Sequence, residues 1–175
     1  MQTVDFIYNH IPRLGGGYED KRCSSVIFSS GVLYSYGYHY PLMWTVKSRD
    51  GRDVLFVNTR GYSVTTAKHI NWAFRAAYKH GMKAHSINLG RTPSNYKSTE
   101  DVIEALHQEY QAIAARYIGL RKNAHRVAES CESRAVSIIG VLGDLGDRSL
   151  GMGTDIKTDL IIQAAMRKQE DLVTA

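Results

Sequence analysis

Cysteine and proline are scarce in this 175-residue chain, with two of the first and three of the second. Cys23 and Cys131 stand far apart, and neither belongs to a C-x-x-C pair. That excludes a disulfide framework and a thiolate zinc cluster, and the two cysteines read as reduced thiols of a cytoplasmic protein. No run approaches the roughly 20 apolar residues that a membrane-spanning helix needs, so no membrane partner is expected. The opening MQTVDFIYNHIPRLGGG lacks the basic start and apolar block of a secretory signal. No G-x-x-x-x-G-K-S/T stretch occurs, which removes the P-loop. His80 and His85 have no cysteine or acid beside them, and Asp144, Asp147 and Asp155 lack calcium-loop spacing, so neither metal nor cofactor is expected. Tyr117-Ile118-Gly119 matches half of a nuclease motif whose GIY partner is missing upstream. No catalytic residue is assigned.

The most informative shortage is of negative charge. Between Asp53 and Glu100 there is no acid, while Arg60, Lys68, Arg75, Lys79, Lys83, Arg91 and Lys97 fall in that interval. Residues 1–100 carry 13 Lys and Arg against 6 Asp and Glu, whereas residues 101–175 carry 9 against 11. A basic stretch of this kind commonly marks a face for a polyanion. The alternative is a solvated basic surface balanced by the acidic second half.

What is present reads as one α+β domain. The hydrophobic fraction of 43% is that of an ordinary globular chain, so disorder is not expected. Residues 1–25 look irregular, with TVDFIY at most a short strand and Gly15-Gly16-Gly17 in a loop. From 26 to 59 come four short strand candidates: SVIFSS, VLYSYGYHY, LMWTVKS and DVLFVNT. Gly31 and Asp50-Gly51 mark tight turns, which predicts a small antiparallel meander. After Gly61 the hydrophobic period becomes helical, and three or four helices over 63–175 are expected to pack on the sheet. Val64, Ala67, Ile70, Phe74 and Ala77 form the predicted core stripe of the first, with Ser63 or Thr65 as its cap. Ser98 and Asp101 open the second, with Val102, Leu106, Ile113 and Tyr117 facing inward. The glycine-rich segment from Gly140 to Gly153 reads as a loop or an interrupted helix. A last helix begins near Thr154, with Ile156, Leu160, Ile161 and Ala164 inward.

Two stretches carry the functional expectations. In VLYSYGYHY, Tyr34, Tyr36, Tyr38 and Tyr40 occupy every second position, which on a strand puts them on one face. They either cover the helices or present rings for unpaired bases. Gly37 in mid-strand points to a bulge, beyond which Tyr38 or Tyr40 changes face. At the helix start after Gly61, Arg60, Ser63, Thr65, Thr66 and Lys68 would surround an anion at the free N–H groups. In the bland alternative the hydroxyls only cap the helix while His39 and His69 bond internally, leaving Asn58 to Tyr62 as a structural corner. Further along, Lys68, Trp72, Arg75 and Lys79 share one helix face, a tryptophan among three cations that suits a partner surface. His39 and His69 as an acid–base pair would make a metal-free phosphodiesterase.

The residues Tyr36, Gly37, His39, Tyr40 and Pro41, then Asn58, Tyr62, Ser63, Thr65, Thr66 and His69, form a pattern. It is a tyrosine-glycine strand ending in His-aromatic-Pro, a second strand, and Y-S-x-T-T-x-x-H opening a helix. Over about Tyr34 to His69 the chain resembles a family of small uncharacterised proteins of bacteriophages, plasmids and their bacterial hosts. The resemblance implies a phage or mobile-element accessory protein in the host cytoplasm, and no particular chemistry. The sequence thus points to nucleic acid as the partner of the Arg60, Ser63, Thr65, Thr66, Lys68, His69, Trp72, Arg75 and Lys79 surface. Tyr36, Tyr38, His39 and Asn58 are additional candidates. An acidic host or phage protein is the alternative partner, and a homo-oligomer is compatible with both.

Overall fold

A computed structural model describes residues 2–16, 19–61, 63–89, 96–121, 124–151 and 155–173, the last helix beyond 166 as backbone alone. Gly17, Tyr62, Arg91, Gly153 and Thr154, named above, lie outside the described residues. The chain forms two compact units, residues 1–102 and 103–175.

The first unit holds the expected antiparallel meander and extends it at both ends. Strands β1 (Lys21–Cys23), β2 (Val26–Ser29), β3 (Val32–Ser35), β4 (Pro41–Lys47) and β5 (Asp53–Asn58) pair in sequence order. Helix α2 (Val64–Lys79) then carries the chain to β6 (Ala84–Ile87), which joins β5 in parallel. A parallel neighbour needs such a crossover because a tight turn can only reverse the chain. The α+β class therefore stands, with a six-stranded mixed sheet. Strand β6 is not legible in the sequence, because four residues inside a loop-like stretch carry little periodic signal.

The N-terminal segment, expected to be irregular, is helix α1 (Thr3–His10) followed by a short 3-10 turn at Ile11–Arg13. Phe6, Ile7 and Ile11 are buried, and the helix exists to put them on the sheet. An isolated eight-residue helix is marginal in water, so tertiary burial decides the conformation. Antiparallel partners share a face, so Phe28, Leu33, Met43, Leu55 and Val57 line the side covered by α1 and α2. The opposite side carries Tyr34, Trp44 and Phe56, with the Tyr96 ring edge-on to Trp44 at 5.1 Å. The Tyr34 and Tyr96 hydroxyls are 2.9 Å apart.

The tyrosine stretch is not one strand. Strand β3 ends at Ser35, Tyr36 adopts φ +59° and Gly37 φ +123°, and β4 begins only at Pro41. The left-handed pair turns the chain over, so the four rings separate. Tyr34 and Tyr40 are buried, while Tyr36 and Tyr38 are 45% and 59% exposed. Tyr40 donates to the carbonyls of Asn58 and Arg60 at 3.2 and 2.6 Å. Burial pushes its hydroxyl up to about 12, with Arg60 opposing.

The corner from β5 into α2 is built on Asn58, which is 1% exposed. Its amide donates to the Pro41 carbonyl at 3.1 Å, and its oxygen accepts from the N–H groups of Arg60 and Leu89 at 3.2 and 3.4 Å. Asn58 thus ties β4, the corner and the strand exit after β6 together. Ser63 caps α2 by accepting from the Thr66 N–H at 3.1 Å.

The predicted core stripe of α2 is out of phase except at Ala77, which is buried. The residues facing inward are Thr66, His69, Ala73, Ala76 and Ala77. Val64 is 78% exposed, Ala67 is exposed, and Ile70 and Phe74 are half-buried at the margin of the core. Small residues let the helix axis approach closely, so the bulky side chains are displaced to its flanks.

The second unit is helical. Helix α3 (Thr99–Ile118) opens with the expected box, Ser98 Oγ accepting from the Asp101 N–H and Asp101 accepting from the Ser98 N–H. Ile103, Leu106, Tyr110 and Ala114 are its buried residues within this unit, whereas Ile113 and Tyr117 are half-buried. Helix α4 (His125–Leu145) runs straight through Gly140 and Gly143, which corrects the expected interruption. It stops only at Gly146, where φ is +89°. Cys131 is buried on α4 and no disulfide joins it to Cys23. Helix α5 (Ile156–Val173) buries Leu160 and Ala164, but Ile161 is 54% exposed. Tyr110 donates to the buried carboxylate of Asp159, and Arg134 grips Glu109 with two bonds of 2.7 and 2.9 Å.

Asn58→Ala should destabilise the protein by about 2–3 kcal/mol, since it strands buried backbone groups. Urea unfolding checks this, and a loss below about 0.5 kcal/mol would show that the corner does not depend on Asn58.

Candidate functional site

The residues singled out in the sequence separate into an inward set and an outward set. Inward lie Thr66 and His69, each 1% exposed. Thr66 Oγ1 is 3.0 Å from the Ser63 hydroxyl. His69 Nδ1 is 2.7 Å from Ser35 Oγ, and its Nε2 is 3.3 Å from Ser25 Oγ. Both ring nitrogens therefore go to serines of β3 and the β1–β2 turn, not to His39. Burial lowers the His69 pKa from its ordinary 6.5, so the ring is neutral at pH 7. A neutral imidazole has one donor and one acceptor, and the two hydroxyls satisfy both. Asn58 is inward as well, and Ser63 spends its oxygen on the cap.

Outward lie Lys68, Arg75 and Lys79, all exposed, with Thr65 and Arg60 half-exposed near the helix start. Trp72 is half-buried between them. Its ring sits 5.6 Å from that of His69, and His69 lies 5.7 Å from the exposed Tyr36 ring. Tyr36, His69 and Trp72 thus form a continuous column, with the serine-held histidine in the middle. Tyr38 packs edge-on against Tyr34 at 5.4 Å, away from this column, and His39 is exposed beside Gly37.

Trp72 and Arg75 line two hollows that run along α2. One, of about 330 Å³, is completed by Lys68 and Asn71. The other, of about 590 Å³, is a groove against α1, with Val4, Asp5, Tyr8, Ala76 and Lys79 as its other walls. Tyr8 is held rigidly. His80 stacks on it at 4.2 Å and donates its Nε2–H to the Tyr8 backbone carbonyl at 2.9 Å. The Lys79 ammonium lies 5.8 Å over the Tyr8 ring. Sequence reasoning missed Asp5 and Tyr8 because α1 read as irregular. It missed Ser25 and Ser35 because nothing in their local sequence distinguishes them from other strand-end serines.

The charge of this face has a structural origin. Four acids of the first unit are engaged elsewhere: Glu19 with Arg13 and Lys21, Asp50 with Arg52, Asp53 with Lys47, and Glu100 with Arg49, whereas Asp5 stands in the groove wall near Arg75 and Lys79. Among the described residues, no carboxylate forms a salt bridge with Lys68, Arg75 or Lys79. The cations are therefore open to an external anion.

In the second unit, His107 Nε2 lies 2.8 Å from Asp147 and 3.2 Å from Ser149 Oγ. Burial opposes ionisation of Asp147, but the bonds from His107 and Ser149 prevail and hold its carboxyl below the ordinary range. Both partners meet the same nitrogen, so this cluster fastens the segment after α4 and does not form a proton relay. Among the described residues, no group of three or more His, Cys, Asp or Glu side chains is placed to hold a metal ion, and no helix is long and apolar enough to cross a membrane. No family model, curated protein or solved structure matches this chain.

The depressed His69 pKa makes stability depend on pH. Its contribution is complete above the unfolded value of 6.5 and is lost as pH falls from there through the lower folded value, because only the unfolded chain takes up the proton. Denaturation midpoints should therefore drop on acidification below about pH 6.5, and His69→Gln should flatten that part of the profile. An unchanged profile in the variant would show that His69 is not the group responsible.

Proposed function

We propose that this chain is a nucleic-acid-binding accessory protein of the phage or mobile-element kind, acting in the bacterial cytoplasm, and that the solvent face of α2 meets the phosphates. The observation that carries the reading is the set Lys68, Arg75 and Lys79, exposed and unneutralised around a half-buried tryptophan. Cations without a carboxylate partner gain most from displacing the counterions of a polyanion. A tryptophan held at its edge by His69 offers a ring on which a base can stack, and such stacking is sequence-tolerant. Arg60 and the Thr65 hydroxyl extend the donor surface towards the start of α2. Thr66, His69 and Asn58 support it from beneath: His69 and the two serines fix the position of Trp72, and Asn58 fixes the entry to the helix.

Arg75→Ala and Lys68→Ala remove exposed groups, so the fold should survive both. Each should weaken binding of labelled oligonucleotides and reduce the slope of log K against log salt by about 0.7–0.9. Trp72→Ala should cost about 1–3 kcal/mol of binding with little change of slope. Slopes unaltered by both cation substitutions would overturn the assignment of this face. Failure to bind any oligonucleotide at low salt would leave an acidic protein as its partner instead.

A further inference from the structure

Resting on that reading, we infer that the groove between α1 and α2 accepts one unstacked base of a single strand, and that Asp5 selects bases bearing an exocyclic amino group. The groove of about 590 Å³ has the size of a small-ligand site. Its walls are chemically divided. Trp72 supplies a stacking ring, and Tyr8, fixed by His80, supplies a rigid aromatic wall. Arg75 and Lys79 stand along the α2 side, and Lys68 continues the cationic line into the adjoining hollow past Trp72. Asp5 is the one acid lining the groove among the described residues, and it is exposed with no cation bonded to it.

A phosphate would avoid this carboxylate and follow the cations. The part of a nucleotide that faces Asp5 is then the base edge. A carboxylate accepts from the amino groups of cytosine, adenine or guanine. Thymine and uracil have no amino group: their single donor on that edge, the N3–H, lies between two carbonyl oxygens that would face the lone pairs of Asp5 and weaken the contact. A base inside a duplex remains stacked and cannot enter, whereas an unpaired one inserts without first being freed. The Trp72 ring already lies against the serine-anchored His69, with 5.6 Å between the ring centroids.

The test compares fluorescein-labelled dC, dA and dT oligomers of equal length, and a mixed-sequence duplex, by anisotropy at fixed salt. The full chain should bind oligo-dC and oligo-dA about tenfold more tightly than oligo-dT or the duplex. Trp44 is 1% exposed, so quenching of tryptophan fluorescence on binding reports Trp72. That quenching should appear with the single strands and not with the duplex. Asp5→Ala should tighten oligo-dT, by removing a negative charge, and bring the dC to dT ratio close to one. If all four ligands bind equally with normal salt slopes, or if Asp5→Ala preserves the ratio, base selection in the groove is wrong while phosphate binding by α2 stands. If nothing binds, both readings fall together.

Discussion

The first unit depends on how closely α2 lies against its supports. Ala73, Ala76 and Ala77 remove the side chains that would hold the helix away, and His69 replaces apolar contact with hydrogen bonds at the end near β3. A buried imidazole would be costly without partners. Here Ser25 and Ser35 supply both, and the reversal of the chain at Tyr36 and Gly37 brings a further ring against it. The arrangement of the candidate site follows from this packing. With its small residues turned inward, α2 must carry Trp72 at its edge and its cations outward.

Charge is organised by the same constraint. Four acids of the first unit, Glu19 near β1, Asp50 and Asp53 around the β4–β5 turn and Glu100 at the start of α3, each sit beside a basic partner. Exposed pairs of this sort contribute little stability. Their consequence is positional, since they neutralise one part of the surface and leave α2 positive. Asp5, at the first turn of α1, is brought opposite that positive face only because α1 packs across α2. The groove is therefore a product of two helices whose sequences, taken singly, give no sign of a shared site.

Some of this was legible without coordinates. The turns at Gly31 and Asp50-Gly51, the change from strand to helix after Gly61, the cap at Ser63 and the box at Ser98–Asp101 are local matters, decided by backbone preferences and by hydrogen bonds within a few residues. The basic, acid-free interval was equally plain. The phase of α2 was not, because period alone treats a large apolar residue as the best core candidate, whereas close helix approach selects alanine. The tyrosine alternation failed at the left-handed backbone of Tyr36 and Gly37, although Gly37 had marked the place. Gly140 and Gly143 misled in the other direction: packing of α4 overrides their weak helix preference.

By itself, then, the sequence determined the α+β class, most of the strand order, the places where α2 and α3 begin, and the sign of the charge that α2 carries, because each of these depends on neighbours along the chain. Tertiary structure alone decided that residues 3–10 are helical, that His69 is a buried anchor between two serines, and that Asp5 and Tyr8 face Trp72 and Arg75. Those outcomes rest on contacts between segments more than sixty residues apart in the groove and more than thirty at His69. Which such contacts form depends on the burial of whole faces at once, and no local pattern records it.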